Sequence, residues 1–479
     1  MTCLFLFANY CLVAQDKTNW LEEAPYGNAY NHCIRLNLDK ARDPIHFLNT
    51  PEAIYIQSLG DALELLITED QSRFAEYEDT YEQRIEALKK INPATEKSLF
   101  VLAEIRLQWA FVYLKFGNDF SAAWNVRQAH SITQTCQKNF PSFIPIQKTS
   151  GILEIMLGSV PEKYQWILGL LGMKGSVELG ITQLKLAEEY GGSLSFEANL
   201  LNLLIDGFIL QQTDTAVSGI ERLHYQYPDN RLILFLGASL AIKNSMSEIA
   251  MNMLGKLKEQ SEGLPIYYAD YLLGEVYLHQ RNYPKSIQAY ESFIQRYKGE
   301  NYVKDAHYKI GVAYWLSQQP KLAIPYFDKA KSIGKVATEA DKHAARMLSE
   351  NNLPNIKLTR VRYSTDGGYY EEAFRTLKTI NQNEFVTKKE MTEFFYRQAR
   401  LYHKTNNLVE AKINYLKTIE LNGEENWYYA PNSCLQMGYI YSSENNGAMA
   451  REYFQKALTY KKHEYKNSID SKAKSALGL

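Results

Sequence analysis

The C-terminal half of the chain repeats one pattern of small and aromatic positions. In residues 271–294 a glycine is followed by a tyrosine after three residues, a small residue after twelve and an aromatic residue after sixteen. These are Gly274, Tyr277, Ser286 and Tyr290, and the spacing recurs at Gly311, Tyr314, Ala323 and Phe327, at Ala399, Tyr402, Ala411 and Tyr415, and at Gly438, Tyr441, Ala450 and Phe454. Such self-similarity predicts pairs of helices, each of which must stack on the next pair to bury its apolar face.

Weaker copies of the pattern lie before and within this run. They are marked by Tyr113, Gly117, Ala122 and Ala129, by Ala216, Ile220, Leu223 and Pro228, by Gly237, Ala250 and Leu254, and by Gly368, Ala373 and Leu377, the last with a first helix expected over 354–366. Further upstream, Asn92-Pro93 is expected to end a charged helix over 71–90, and Thr95 with Ser98 to begin the next. We predict an all-α fold, an α-solenoid of seven or eight helix–turn–helix units preceded by N-terminal helices.

Residues 150–187 depart from the repeat because they are rich in glycine, at positions 151, 158, 169, 172, 175 and 180. The order Gly172-Met-Lys-Gly-Ser does not match a phosphate-binding loop, which needs Gly-Lys followed by Ser or Thr. Glycines also let two helices approach closely. We therefore interpret this segment as tight helix packing rather than as a phosphate site.

The repeat resembles the tetratricopeptide repeat, a helix–turn–helix unit of about 34 residues. The glycine-rich segment is similar to the signature of the tetratricopeptide repeat protein 39 and inclusion-body-clearance family, over about 40 residues, and suggests a bacterial, Bacteroidetes-like relative. The matching residues are Gly151, Ser159-Val160-Pro161, Leu171-Gly172, Gly175 and Gly180-Ile181-Thr182-Gln183-Leu184. The resemblance implies a helical scaffold and brings no catalytic residues.

Composition limits the chemistry that the chain can carry. Lys plus Arg number 53 and Asp plus Glu 54, and this balance argues against a nucleic-acid partner. The nine histidines and five cysteines form no HExxH or CxxC motif, and no GxSxG motif occurs. We expect no metal, no cofactor and no enzymatic activity.

The first residues read as a targeting segment. Residues 3–14 form an apolar run that is too short to span a bilayer but suits a secretory signal peptide, with cleavage near Gln15. No Lys or Arg precedes this run, and a buried first helix is the alternative. We thus predict a signal peptide over 1–15, N-terminal helices and first repeats over 16–150, the glycine-rich segment with degenerate repeats over 151–264 and a C-terminal array over 265–479.

The inner face of the first helices is the candidate binding surface. Counting from the packing glycine places there Tyr271, Glu275, Tyr308, Trp315, Tyr396, Arg400 and Tyr439, as well as Leu278, Val312, His403, Leu435 and Ser442. Aromatic side chains are common binding anchors, although these tyrosines could equally pack between units.

The leading hypothesis is a non-enzymatic scaffold that binds a protein or peptide in this groove. It would lie in the periplasm or at the outer membrane, where any membrane association would be indirect. One alternative is a glycan-binding module that resembles the SusD group. The other is a cytoplasmic adaptor or lipid-associated protein that keeps residues 1–14.

Overall fold

The computed structural model describes residues 19–159, 173–210, 212–350 and 353–478. Within these ranges the protein is all-α, with 24 α-helices and no strand, which confirms the predicted fold class. The first twelve helices are α1 (Tyr26–Ile34), α2 (Leu38–Arg42), α3 (Pro51–Thr68), α4 (Gln71–Lys89), α5 (Glu96–Lys115), α6 (Asp119–Asn139), α7 (Ile146–Gly158), α8 (Val177–Tyr190), α9 (Ser195–Phe208), α10 (Thr213–Gln226), α11 (Arg231–Lys243) and α12 (Ser247–Glu259).

The second twelve helices complete the described chain. They are α13 (Tyr268–His279), α14 (Tyr283–Arg296), α15 (Val303–Leu316), α16 (Pro320–Ser332), α17 (Glu339–Ser349), α18 (Ile356–Asp366), α19 (Tyr370–Lys378), α20 (Lys388–Lys404), α21 (Leu408–Asn422), α22 (Tyr429–Ser443), α23 (Gly447–Thr459) and α24 (Lys466–Leu477).

Contacts divide the chain into two compact units. Unit 1 comprises residues 1–240, 253–268 and 297–299, and unit 2 comprises residues 241–252, 269–296 and 300–479. The predicted targeting segment over 1–15 lies outside the described residues. The four-part domain organisation that we predict from the sequence stays a prediction.

Unit 1 begins with helices whose caps follow the sequence signals. Helix α4 ends at Lys89, before Asn92-Pro93, as predicted. Helix α5 then starts after Thr95, whose hydroxyl accepts the Ser98 N–H at 3.1 Å, while Ser98 Oγ accepts the Thr95 N–H at 2.9 Å. This reciprocal cap satisfies two amides that the first helical turn would leave unbonded.

The core of unit 1 encloses one buried lysine. The Lys148 ammonium lies 2.8 Å from the Glu104 carboxylate and 2.7 Å from that of Glu197, and its side chain is 2% exposed. Tyr30 and Tyr55 each donate a hydrogen bond of 2.7 Å to Glu197. Although burial acts in the opposite direction, the two carboxylates raise the pKa of Lys148. The network is fully bonded within the core, so we regard it as structural.

One turn geometry joins the two helices of most pairs. A residue with positive φ follows the first helix, and the next N–H bonds to the carbonyl five residues back, which is the Schellman arrangement. The positive-φ residues are Gly117, Ser245, Arg281, Gln318, Gly368, Asn406 and Asn445, and the accepting carbonyls are those of Tyr113, Ala241, Tyr277, Tyr314, Ser364, Tyr402 and Tyr441. These turns place the pairs in register. With α9 and α10 they account for eight pairs among the described residues, within the predicted number.

The packing role of the repeat glycines is confirmed. A Cβ atom on Gly274 would lie 2.6 Å from the Tyr290 ring, and one on Gly311 would lie 2.7 Å from the Phe327 ring. Gly438 faces Phe454 in the same way. Each aromatic residue of a second helix therefore covers the glycine of the first helix in the same pair.

The glycine-rich segment also packs closely where it is described. Helices α7 and α8 cross at Gly151 and Gly180, where a Cβ on Gly180 would come within 2.5 Å of the Gly151 carbonyl oxygen. Gly158 and Gly175 form a second close approach, with a Cβ on Gly175 2.6 Å from the Gly158 nitrogen. The interpretation as helix packing holds for these four glycines, whereas residues 160–172 lie outside the described residues.

An additional helix interrupts the array of unit 2. Helix α17 lies between the α15–α16 pair and the α18–α19 pair and packs against both α15 and α16. Helix α18 begins at Ile356, close to the expected start at residue 354. The insertion brings His343 next to the first helices of both neighbouring pairs, with its ring 6.1 Å from that of Tyr308 and its Nε2 3.3 Å from Arg362.

Candidate interaction surface

The inner surface of unit 2 is formed by the first helices of its pairs. The turn register makes one position equivalent in five of them: Glu275, Val312, Arg362, Arg400 and Tyr439. This surface holds two neighbouring features, namely an ion cluster around Lys309 and a cavity beside Arg362.

The ion cluster joins helices α13 and α15. The Lys309 ammonium lies 2.8 Å from the Asp305 carboxylate and 2.5 Å from that of Glu275, and its side chain is 10% exposed. The Tyr271 hydroxyl donates to Asp305 at 2.6 Å and accepts from Lys309 at 3.0 Å. Tyr290 donates a short hydrogen bond to Glu275.

Burial and the neighbouring positive charge act in opposite directions on the pKa values of the two carboxyl groups in this cluster. Burial raises the pKa of Asp305, and Lys309 only partly offsets that effect. For Glu275 burial acts upward too, but the charges of Lys309 and His279 and the hydrogen bonds from Lys309 and Tyr290 together lower the pKa. Removing Lys309 would leave two carboxylates in a site with little water, so the cluster depends on this one side chain.

A cavity of about 310 Å³ opens beside the cluster. Its aromatic lining is Tyr308, Tyr363, Tyr428 and Tyr429, and its charged lining is Glu350, Arg362, Lys389, Glu390, Glu393, Arg397 and Glu464. The lining thus combines acidic, basic and aromatic side chains, which suits a ligand that carries both apolar and charged groups.

Arg362 is the cation of the cavity with the most unused donors. Its closest contacts are His343 Nε2 at 3.3 Å and Asp366 at 3.6 Å. Arg397, by contrast, is held by two hydrogen bonds to Glu393, at 2.7 and 3.0 Å. A guanidinium has five N–H donors, so within the described chain Arg362 keeps most of its donors available.

The segment before α24 reaches across this surface. The Glu464 carboxylate lies 2.8 Å from Arg346 of α17, and the Tyr465 hydroxyl lies 3.0 Å from His343 Nδ1. Burial, followed by the charges of Arg362 and Arg346, lowers the pKa of His343 well below its usual value. His343 is therefore neutral at pH 7, and it separates two guanidinium groups without adding charge.

The seven residues that we predicted for the groove fall into two groups. Tyr271, Tyr308 and Tyr396 are buried, with exposures of 4%, 5% and 0%, and their rings pack against neighbouring aromatic residues. The half-buried residues are Glu275 in the ion cluster, Trp315, which donates to the Pro354 carbonyl at 2.8 Å, Arg400, which pairs with Asp366 at 3.1 Å, and Tyr439, whose ring lies 5.3 Å from that of Phe454. Partner binding by any of them stays a prediction.

Sequence reasoning missed Arg362, Asp366 and the contribution of α24. Arg362 is equivalent to Arg400, but its unit has Val361 where other units have glycine or alanine, so the spacing rule did not align it. Gly368 is the sequence signal that would have aligned Arg362, because this glycine takes the positive φ of the turn after the first helix, as Gly117 does in an earlier pair. The contacts of Tyr465 with α17 join residues more than a hundred positions apart and leave no local pattern.

Other chemistry was sought among the described residues. No group of His, Cys, Asp and Glu there could hold a metal ion. None of the described helices combines the length and the apolar character that crossing a bilayer requires. The described cysteines Cys33, Cys136 and Cys434 are buried and unbridged, in keeping with small core residues.

Comparisons with known proteins agree with the repeat architecture. Models of the tetratricopeptide repeat match residues 268–299, 304–333 and 431–464, which include α13–α14, α15–α16 and most of α22–α23. The chain therefore contains tetratricopeptide repeats. No curated protein sequence matches it.

Solved structures match the chain at low similarity. A monomeric mutant of IFIT1 with m7Gppp-AAAA, and another with Gppp-AAAA, each match 94% of this chain and 100% of their own, with 14% identity and a TM-score of 0.33. The APC/C hetero-tetramer Cut9–Hcn1 matches over 97% of this chain and 99% of its own, with 11% identity and a TM-score of 0.28.

Proposed function

We propose that unit 2 is a non-enzymatic scaffold that binds a protein or peptide partner on its inner surface. The observation that carries this proposal is the cavity beside Arg362, whose lining combines an arginine with unused donors, tyrosines and side chains of both charges. Peptides present carboxylates, amides and apolar side chains together, and such a wall can contact all three.

The same lining disfavours a glycan module. Sugar rings stack on open aromatic faces, whereas Tyr308 and Tyr363 are each only 5% exposed. Their rings already contact protein, Tyr308 against Phe327 and Tyr363 beside Arg362. Such a surface offers tyrosine hydroxyls for hydrogen bonding and charged side chains for ion pairing.

We also propose an exported protein related to the tetratricopeptide repeat protein 39 and inclusion-body-clearance group. The apolar run over residues 3–14 supports export, and the close packing of Gly151 on Gly180 supports the relationship. Mass spectrometry of the mature N-terminus tests the export. A chain that begins near Gln15 in the cell-envelope fraction is expected, and a retained Met1 in the cytoplasm would favour the adaptor alternative.

Affinity capture with matched arginine variants tests the binding function. Arg362→Gln removes the guanidinium that faces the cavity, and Arg451→Gln makes the same change at an exposed position of α23. We expect proteins captured from the source organism by the parent to be retained by Arg451→Gln and depleted by Arg362→Gln. Equal capture by both variants, with both folded by circular dichroism, would place the binding surface elsewhere.

A further inference from the structure

A second cavity adjoins the one beside Arg362, and its lining is mostly apolar. It has a volume of about 190 Å³ and is walled by α15, α16, α17 and the segment before α18. Its charged lining residues, Asp328 and Lys331, pair with each other at 2.9 Å. We call this cavity the apolar pocket, and its apolar lining among the described residues is Ile324, Phe327, Met347, Leu348, Leu353 and Pro354.

The mouth of the apolar pocket is open to solvent. Ile324 and Leu353 are large apolar residues with exposures of 52% and 46%, and such residues grouped at a surface commonly mark a contact site. One wall is fixed, because the Trp315 indole donates to the Pro354 carbonyl at 2.8 Å. Since a cavity of about 150 Å³ can hold a benzene ring, this pocket has room for one large apolar side chain.

The apolar pocket is continuous with the cavity beside Arg362. Four residues line both of them, namely Tyr308, Met347, Leu353 and Pro354. A single ligand can therefore occupy the two cavities together. The inserted helix α17 makes this possible, because it supplies Met347 to both walls.

The carboxylates in the lining of the Arg362 cavity already have close partners. The pairs are Glu350 with Lys389 at 2.6 Å, Glu393 with Arg397 at 2.7 Å, Glu464 with Arg346 at 2.8 Å, and Glu390 with the Asn355 amide at 3.1 Å. Arg362 is less well paired, because Asp366 lies 3.6 Å away and is shared with Arg400 at 3.1 Å. The charge that remains to be complemented is therefore positive, and it favours an anionic group on the ligand.

Helix α17 sets the spacing between the two binding features. Met347 follows His343 by four residues, so their side chains lie on one face of the helix, about 6 Å apart along its axis. His343 Nε2 lies 3.3 Å from Arg362, whereas Met347 lines the apolar pocket. In an extended peptide, side chains two residues apart point to the same side and are separated by about 6.5 Å. This distance matches the spacing on α17.

We propose that unit 2 binds an extended peptide segment in which one residue separates an acidic residue from a large apolar residue. The acidic side chain pairs with Arg362, and the apolar side chain fills the apolar pocket. The proposal rests on the proposed function and names the sequence pattern that the partner carries.

The lining of the apolar pocket favours a peptide over a nucleic acid. Recognition of a nucleic-acid base needs open aromatic faces for stacking or polar groups for its edges. The rings of Tyr308 and Phe327 are buried, and Asp328 and Lys331 are paired with each other. An aliphatic or aromatic side chain of a peptide requires neither feature.

Fluorescence anisotropy on the full chain tests the pattern with defined peptides. The probe is Ser-Leu-Ser-Glu-Ser-Leu-Ser, labelled at its N-terminus and amidated at its C-terminus, which presents the spacing in either chain direction. Three comparison peptides replace the glutamate by glutamine, replace both leucines by alanine, or place the leucines directly beside the glutamate. A labelled ten-nucleotide oligouridylate represents nucleic acid.

Matched variants of the protein test each half of the site. Ile324→Ala removes part of the apolar pocket, and Leu322→Ala makes a similar change on the same helix at a residue that is 49% exposed and outside the pocket lining. Arg362→Gln removes the guanidinium, and Arg451→Gln is its control.

We expect the probe to bind more tightly than any comparison peptide. Arg362→Gln should weaken its binding by about tenfold, as for one lost charge-assisted hydrogen bond, and should leave the affinity for the glutamine peptide unchanged. Ile324→Ala should weaken probe binding by about fivefold through lost apolar contact, and should leave the affinity for the alanine peptide unchanged. Leu322→Ala and Arg451→Gln should have no effect.

Several results would overturn the proposal. They are equal binding of the peptide with adjacent leucines, equal weakening by Ile324→Ala and Leu322→Ala, and tighter binding of oligouridylate. If the probe fails to bind while Arg362-dependent capture persists, the peptide pattern is wrong and the scaffold function stands. If the probe binds as expected while capture does not depend on Arg362, the scaffold function fails at this surface and the peptide site stands.

Discussion

Replacing Gly311 by alanine tests the packing rule on which the repeat register depends. The new Cβ would lie 2.7 Å from two atoms of the Phe327 ring, closer than carbon atoms pack. Overpacking of this kind costs about 1–3 kcal/mol. Alanine also favours helix over glycine by about 1 kcal/mol, so the net change is a loss of about 0–2 kcal/mol.

Gly255→Ala provides the matched control. Gly255 lies inside α12, and no atom beyond its own helix lies within 4 Å of the position of its Cβ. Only the helix-propensity gain of about 1 kcal/mol should remain there. The difference between the two variants therefore isolates the packing cost, at about 1–3 kcal/mol, because the propensity gain is common to both.

Native-state hydrogen exchange with mass spectrometry is the suitable assay, because a chain of this size need not unfold in one step. Amides of α15 and α16 should exchange faster in Gly311→Ala, and amides of α12 should exchange more slowly in Gly255→Ala. The double variant Gly311→Ala with Phe327→Leu should recover part of the loss by removing the ring. A Gly311→Ala protein that is stabilised as much as Gly255→Ala would refute the proposed packing.

Two further outcomes follow from the charges of unit 2. Lys309→Met should lower the local stability of α13 and α15 by about 3–5 kcal/mol, because Asp305 and Glu275 lose their shared cation. Native-state hydrogen exchange of the amides of these helices measures the loss, and a value below about 1 kcal/mol would contradict the ion cluster. The pKa of Asp366 is lowered from its usual value of 3.8 to about 2, so its charge should stabilise the folded protein at pH values above 3.8. This contribution should be lost as the pH falls through 2. The difference in melting temperature between the parent and Asp366→Asn should therefore shrink on acidification.

The sequence predicted the features that repeat locally. The spacing around Gly274 predicted the close approach of the two helices of one pair, because both helices are joined by one fixed turn. That the Tyr290 ring covers this glycine is a finding of the structure. The sequence also predicted that a helix begins at Thr95, and the Thr95 hydroxyl caps that helix. Helix α17 was not predicted as a separate element, since the repeat pattern has no place for it.

The candidate site was less predictable, for two physical reasons. Helical spacing shows which residues share a face but not which of them larger neighbours cover, and Tyr271 and Tyr396 prove to be buried. Asp366 of α18 pairs with Arg400 of α20 at 3.1 Å, and only the folded unit brings these two helices together.

Site-specific photo-crosslinking tests the central claim, that the inner surface of unit 2 binds the partner. A benzoylphenylalanine is placed at Val386, which lines the cavity and is 91% exposed, and at Val409, which lies on α21 outside the cavity lining and is 67% exposed. Irradiation in the source organism, followed by mass spectrometry of the adducts, should yield a discrete protein adduct at Val386 that Val409 does not give and that Arg362→Gln abolishes. The same adducts at both positions, or an adduct at Val386 that persists in Arg362→Gln, would contradict the account.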